Sequence, residues 1–111
     1  MSSLRRLGLE VEGPDRDGRC TVQLSGELDI ATAPRVQRAI ARTFALGCTR
    51  TLTIDMSRLA FIDSSGLAAI VHAAGLCERT GCELAVIRGA EAVHRVFEVS
   101  GLASELPFRE T

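Results

Sequence analysis

Alternating apolar and polar residues along the chain predict strands that bury one face. The alternation predicts strands over residues 7–11, 20–24, 52–56 and 83–88. Turn-forming residues fill positions 13–18, between the first two of these segments. The first two strands are therefore expected to form a hairpin.

The polar positions of the second and third strands indicate how the sheet is covered. Thr21, Gln23 and Ser25 alternate with the apolar residues of the second strand, and Thr51 and Thr53 do the same in the third. A sheet that is covered by helices on both faces has strands that are more continuously apolar. We therefore expect the helices to lie mainly on one face.

Apolar residues at helical spacing predict three helices. The first begins after Thr32, which can serve as its N-cap, and ends at Gly47. The second follows residues 64–66 and ends at Gly81, and the third covers residues 91–99. The stripes expected to be buried are Val36, Ile40 and Phe44 in the first helix, and Leu67, Ile70, Val71, Ala74 and Cys77 in the second.

The order of these segments predicts an α/β fold. After the hairpin, strands and helices alternate, which favours parallel strands joined by right-handed crossovers. We expect a four- to five-stranded, mostly parallel sheet with an N-terminal hairpin and helices mainly on one face. Residues 102–108 are expected to form a short docking element. The length of 111 residues predicts one domain over residues 1–111.

Charge and hydropathy narrow the classes of partner. The formal net charge is −1 at pH 7, so the chain lacks the basic excess that neutralises nucleic acid phosphates. No apolar run reaches the length needed to span a bilayer, and residues 1–6 are not followed by the apolar stretch of a signal peptide. We expect a cytoplasmic protein that binds neither nucleic acid nor membrane and that is a monomer.

The four cysteines do not predict a metal site. Cys20, Cys48, Cys77 and Cys82 are scattered, without a Cys-x-x-Cys pair of the kind that binds zinc. They are expected to be free thiols, buried or half-buried. The chain also has no glycine-rich phosphate loop, so no cofactor is expected.

The segment over residues 59–67 is the most unusual one, because it leaves a strand and enters a helix with two serines. Ser64 or Ser65 could simply cap the helix by accepting hydrogen bonds from its first N–H groups. The same position suits a phosphoserine, since a helix N-terminus stabilises negative charge. A phosphoryl group on Ser64 would add about two negative charges beside Asp63 and near Asp29.

Two kinds of chemistry are poorly supported by the sequence. A serine hydrolase needs a base close to Ser64, but His72 lies about 12 Å further along the same helix, and His94 is expected on the exposed side of another helix. A receiver domain phosphorylated on Asp55 would need a lysine, and the chain has none. Asp55 is expected instead to bind nearby backbone N–H groups at a strand end. We therefore expect no catalytic residues.

The motifs of the chain resemble those of a known family. Residues 62–67 read Ile-Asp-Ser-Ser-Gly-Leu and are preceded by Ile-Asp-Met-Ser at residues 54–57. Residues 24–29 read Leu-Ser-Gly-Glu-Leu-Asp, and residues 96–102 read Val-Phe-Glu-Val-Ser-Gly-Leu. In this order and spacing, the segments are similar to the STAS domain of bacterial anti-sigma factor antagonists.

This resemblance implies a fold, a role and a site. The fold is a β–α superhelix with its helices on one side. The phosphoacceptor is the serine directly after the aspartate, which is Ser64 here. Asp29, Asp63, Ser65 and Gly66 are implied to belong to the partner-binding surface. The unphosphorylated form binds an anti-sigma factor serine kinase of the histidine-kinase-like ATPase type and frees a sigma factor. Phosphorylation blocks that binding until a serine phosphatase reverses it.

The same family resemblance leaves a second role open. STAS domains also serve as scaffold subunits of stress-sensing assemblies and as small components of lipid-transport machines. Such proteins bind partners without a sigma-factor cycle. The intact run from Asp63 to Gly66 favours the antagonist role.

Overall fold

A computed structural model of the chain describes residues 6–110. Its elements are β1 (Gly8–Glu12), β2 (Arg19–Leu28), α1 (Ala33–Ala45), β3 (Thr51–Ile62), α2 (Ser64–Thr80), β4 (Glu83–Ile87), α3 (Glu91–Val99) and β5 (Phe108–Arg109). The expectation that the N-terminus is not a signal peptide concerns residues 1–6, and all but Arg6 of these lie outside the described residues.

The strands form one mostly parallel sheet in the order β1-β2-β3-β4-β5. Only β1 is antiparallel, because it forms the hairpin with β2. The expected docking element near the C-terminus provides the fifth strand, since the N–H of Val86 donates to the carbonyl of Pro107 at 3.0 Å and that of Arg88 to Arg109 at 2.9 Å. The predicted fold class and hairpin are confirmed.

One face of the sheet carries the helices and the core. Cys20, Val22 and Leu24 of β2 are buried, whereas Thr21 and Gln23 between them are half-buried or exposed. The buried residues of the strands and of all three helices form one hydrophobic cluster. None of the helices within residues 6–110 combines the length and apolar character needed to cross a bilayer. The predicted one-sided arrangement of helices is confirmed.

The buried stripe of α2 differs from the one expected from the sequence. Ile70 and Cys77 are buried as predicted, but Val71 is exposed, and Ala69 and Ala73 lie in the core instead. The other two predicted positions, Leu67 and Ala74, are half-buried. In the structure, the small alanines face inward, where they allow α2 to lie close to its neighbours.

β3 extends six residues beyond the end expected from the sequence, which was Met56. Its pairing with β2 shifts register twice, between Gln23 and Ser25 and again between Gly26 and Glu27 of the partner strand. Each shift adds one residue to β3 and interrupts the alternation. At the first shift, Asp55 accepts a hydrogen bond from the N–H of Ser57 at 2.9 Å, so its expected bond to nearby backbone is confirmed. Its expected place at a strand end is wrong, because β3 continues to Ile62.

His94 is buried, so the expectation that it lies on an exposed side is wrong. The side chain is 6% exposed, and its ring lies 4.7 Å from that of Phe108 in an edge-to-face arrangement. Phe97 packs against Phe108 in the same way, at 5.0 Å. The imidazole therefore helps to hold β5 against α3. The sequence pattern missed this contact because β5 was not predicted as a strand.

The thiols differ in exposure and therefore in expected reactivity. Cys20, Cys77 and Cys82 are buried and Cys48 is exposed, and all are free thiols. Burial raises the pKa of the Cys77 thiol to about 12 and also raises the pKa of Cys20 and of Cys82. Because the thiolate is the reactive form, the buried thiols hold almost no nucleophile near pH 8.

We expect iodoacetamide at pH 8 to alkylate only Cys48 in the folded protein. In guanidinium chloride, all four cysteines should react, because unfolding exposes the buried thiols and restores their ordinary pKa. Peptide mass mapping after brief labelling identifies the alkylated cysteines in the folded and in the unfolded protein. Rapid native labelling of Cys77 would contradict the burial described above.

Candidate functional site

The candidate site lies where β2 and β3 end side by side. Leu28 pairs with Ile62 at the last positions of the two strands, and the N–H of Asp63 donates to the carbonyl of Leu28 at 3.2 Å. α2 begins directly afterwards, at Ser64. Because parallel strands end at the same edge of a sheet, the turns that follow β2 and β3 become neighbours. This brings the segments of Asp29 and Ser64 together, as the sequence predicts.

Asp63, not a serine, caps α2. Its backbone is extended, and its carboxylate accepts hydrogen bonds from the N–H of Ser65 at 2.9 Å and of Gly66 at 3.1 Å. The alternative in which Ser64 or Ser65 is the cap is therefore wrong. An aspartate in this position also carries a negative charge that suits a helix N-terminus.

Ser64 is the first residue of the helix and its side chain is exposed. Within residues 6–110, its hydroxyl makes no hydrogen bond. Since Asp63 already binds the free N–H groups of the first turn, the hydroxyl has no structural role there. It is open to another molecule.

Gly66 holds the start of α2 against the end of β2. A Cβ atom at this position would lie 2.7 Å from the carbonyl oxygen of Leu28 and 2.8 Å from Cγ1 of Ile62. The residue is buried. Glycine is therefore required for close approach of the helix, and this approach fixes the position of Ser64.

Asp29 organises the turn that precedes α1. Its carboxylate accepts hydrogen bonds from the N–H of Ala31 at 2.9 Å and of Thr32 at 3.1 Å. The hydroxyl of Thr32 accepts from the N–H of Asp29 at 2.9 Å and donates to the carbonyl of Glu27 at the same distance. Thr32 occupies the predicted N-cap position, but its side chain makes no capping bond to the helix. It stabilises the turn instead.

Two exposed apolar side chains flank this region, and the sequence interpretation missed them. Ile30 is 76% exposed in the turn after Asp29, and Phe61 is 46% exposed near the end of β3. Ile30 could have been found from the sequence, because it is a large apolar residue within a polar turn. Phe61 gave no clear signal, because the register shifts place both Ala60 and Phe61 on the exposed side. Exposed apolar residues beside polar ones are typical of protein-binding surfaces.

The histidines and acids do not form a second reactive centre around Ser64. His72 is exposed, eight residues further along α2, which corresponds to about 12 Å, and His94 lies in the core beside Phe97. Among the described residues, no three histidine, cysteine, aspartate or glutamate side chains are grouped closely enough to hold a metal ion.

The fold and the site define a small α/β domain that exposes Ser64 at the turn between a strand and a helix. The family model of the STAS domain matches residues 9–111, and the chain belongs to the STAS domain family. The resemblance seen in the sequence motifs is thereby confirmed.

Two relatives that resemble the chain over most of its length are named as anti-sigma factor antagonists. The anti-sigma F factor antagonist of Paenibacillus polymyxa is 32% identical over 101 residues, which cover 91% of this chain and 86% of that protein. The crystal structure of an anti-sigma factor antagonist from Mycobacterium paratuberculosis has a TM-score of 0.83 and 29% identity, and covers 96% of this chain and 88% of that one. These relatives are named for antagonism of another protein and not for catalysis, which supports the expectation of a regulatory binding protein.

Structures of another relative, SpoIIAA, have been solved in the unphosphorylated and the phosphorylated form. The unphosphorylated anti-sigma factor antagonist SpoIIAA has a TM-score of 0.80 and 23% identity, and covers 94% of this chain and 88% of that chain. The phosphorylated Bacillus SpoIIAA has a TM-score of 0.74 and 22% identity, and covers 94% and 91%. At this level of identity, the comparison establishes the shared fold.

Proposed function

We propose that this chain is an anti-sigma factor antagonist that is switched by phosphorylation of Ser64. The unphosphorylated protein binds an anti-sigma factor serine kinase of the histidine-kinase-like ATPase type and so frees a sigma factor. Phosphorylation by that kinase blocks binding, and a serine phosphatase restores it. The observation that carries the proposal is the exposed, unbonded hydroxyl of Ser64 on the first turn of a helix that another residue caps.

The fold tolerates the modification that this proposal requires. The phosphoryl group extends from an exposed side chain into solvent, so it displaces no buried group. It also lies near the positive end of the α2 dipole, which favours negative charge. The hydrogen bonds from Ser65 and Gly66 to Asp63 are made without the Ser64 hydroxyl, so they do not depend on its state.

Phosphorylation of Ser64 would strongly change the charge of the surface on which the proposed partner binds. We assign to that surface the turn of Asp29, the half-buried Asp63 and Ser65, and the exposed apolar side chains of Ile30 and Phe61. A phosphoryl group adds about two negative charges to this partly acidic and partly apolar region. A partner that covers it would have to bury these charges, which opposes binding. Gly66 contributes indirectly, because it is buried and sets the position of the loop.

Further parts of the proposal concern domain organisation, oligomeric state and location. We propose that residues 1–111 act as one domain and that the antagonist is a monomer, since its proposed switch needs only one exposed serine. The proposed reaction consumes ATP, which places the protein in the cytoplasm with its kinase.

The direct test is phosphorylation by candidate anti-sigma kinases from the same organism with ATP. One phosphoryl group is expected on Ser64, located by fragmentation mass spectrometry. The Ser64→Ala variant should accept none, and the matched Ser65→Ala variant should still be modified. Phosphate on Ser65, or none with any candidate kinase, would contradict the proposal. Purification of the chain within a transporter or a large assembly of homologous domains would favour the scaffold role instead.

A further inference from the structure

A basic stripe runs along the exposed side of α1. Arg35, Arg38 and Arg42 follow one another at helical spacing, and all are exposed. α1 contains no acidic residue, and within residues 6–110 no carboxylate lies within ion-pair distance of these guanidinium groups. The guanidinium of Arg35 donates to the carbonyl of Leu7 at 2.7 Å, so this residue also tethers the chain before β1. Arg38 and Arg42 have positive charge that no described side chain balances.

An apolar groove lies directly beside this stripe. It has a volume of about 510 Å³ between β1 and the second half of α1. Its lining includes Leu9, Val11, Ala39, Arg42, Ala45 and Leu46. Leu46 is 65% exposed and Val11 is 40% exposed, so a large part of this apolar surface faces solvent. A contiguous apolar surface with a charged border is typical of a protein-binding site.

We infer that this groove binds an acidic amphipathic helix of a partner protein. The apolar side of such a helix fits the groove, and its carboxylates meet Arg38 and Arg42, which can bind them in bidentate pairs. The charge of the stripe therefore selects an acidic partner and rejects a basic one.

The observations disfavour two other occupants. A second copy of this chain related by a two-fold axis would place one arginine stripe against the other, and like charges would oppose each other. A bilayer would contact the outermost side chains, Val11 and Leu46, and would leave uncovered Leu9 and Ala39, which are half-buried between the strand and the helix. A helix is the element that such a groove accommodates best.

The groove is separate from the Ser64 site. α1 begins beside the turn of Asp29, and Arg42 lies nine residues beyond its first residue, Ala33, or about 14 Å along the helix axis. None of the residues that line the groove belongs to the Ser64 site. The inference does not rest on the proposed function, since Ser64 takes no part in it.

A synthetic peptide tests this inference. The probe is an amphipathic peptide of about five helical turns, with leucine at every third or fourth position and glutamate elsewhere. The control peptide has lysine in place of each glutamate. In a titration followed by backbone amide NMR, the acidic peptide is expected to shift the signals of Val11 and Leu46. The Arg38→Glu/Arg42→Glu variant should bind it at least about tenfold more weakly.

A matched control variant tests whether the arginines of α1 are specifically required for peptide binding. Arg95→Glu reverses an exposed charge on α3 and should leave binding unchanged. Equal binding of the lysine peptide, absence of binding, or signal shifts confined to the Ser64 loop would overturn the inference. A dimer that Leu46→Gln dissociates, or arginine-dependent binding to anionic vesicles without peptide binding, would also overturn it.

Discussion

Replacing Ser64 by aspartate is expected to lower the affinity of the chain for the proposed anti-sigma kinase by about 100-fold, because burying an uncompensated charge at an interface costs a few kcal/mol. The new carboxylate would lie next to Asp63 and close to the apolar side chains of Ile30 and Phe61, in the region assigned to docking. It carries about half the charge of a phosphoryl group, so true phosphorylation should weaken binding further. Isothermal titration calorimetry with the purified kinase measures the dissociation constants of the unmodified chain and of the variant.

Two control variants separate charge from size and from folding. Ser64→Asn has nearly the shape of Ser64→Asp but no charge, and Ser64→Ala removes only the hydroxyl; both should keep most of the affinity. Ser64→Asp should be at least as stable as the unmodified protein, because an acidic residue in the first turn interacts favourably with the helix dipole. Equal weakening by the asparagine and aspartate variants would contradict an electrostatic switch.

Replacing Gly66 by alanine is expected to destabilise the fold by about 3 kcal/mol, since an extra methyl group in a packed site forces the backbone apart. The added Cβ would lie 2.7 Å from the backbone oxygen of Leu28, which cannot rotate away as a side chain does. The start of α2 must then move from the end of β2, and Ser64 moves with it. Urea unfolding followed by circular dichroism measures the free energy of unfolding.

Gly75 provides a matched control within the same helix. A Cβ at this position would contact only the flexible end of Arg79, at 3.4 Å. Gly75→Ala should therefore stabilise the protein by about 0.5 to 1 kcal/mol, which is the usual gain from replacing glycine in a helix interior. If both alanine variants were equally stable, the close approach of α2 to Leu28 would not exist in solution.

The sequence predicted the parts of the fold in which local pattern and tertiary packing agree. α3 begins and ends at the expected residues, Glu91 and Val99, because its apolar residues keep helical spacing and Gly101 lies two residues beyond its end. The hairpin was predictable because residues 13–18 have little propensity other than for a turn. The one-sided helix layer followed from the threonines of β2 and β3.

The parts that could not be predicted depend on contacts between distant segments. The register shifts of β3 arise from its pairing with β2, so a local pattern ends the strand at Met56 instead of Ile62. His94 is buried because β5 covers it, and a two-residue strand has no signature of its own. At the site, position alone leaves Ser64 and Ser65 as candidates, and the family resemblance implies Ser64. Only the structure distinguishes the capping residue, Asp63, from the exposed Ser64.

The rigid attachment of the Ser64 hydroxyl has a consequence for the enzymes that act on it. The hydroxyl lies on the first turn of a capped helix and not on a flexible loop. It therefore cannot extend away from the domain into a deep active-site cleft. In the proposed cycle, kinase and phosphatase must each cover the same patch of the domain to reach it. They therefore use one footprint in turn, the kinase on the unmodified form and the phosphatase on the phosphorylated form. The phosphorylated fraction at steady state then depends on the relative amounts of the two enzymes as well as on their turnover rates.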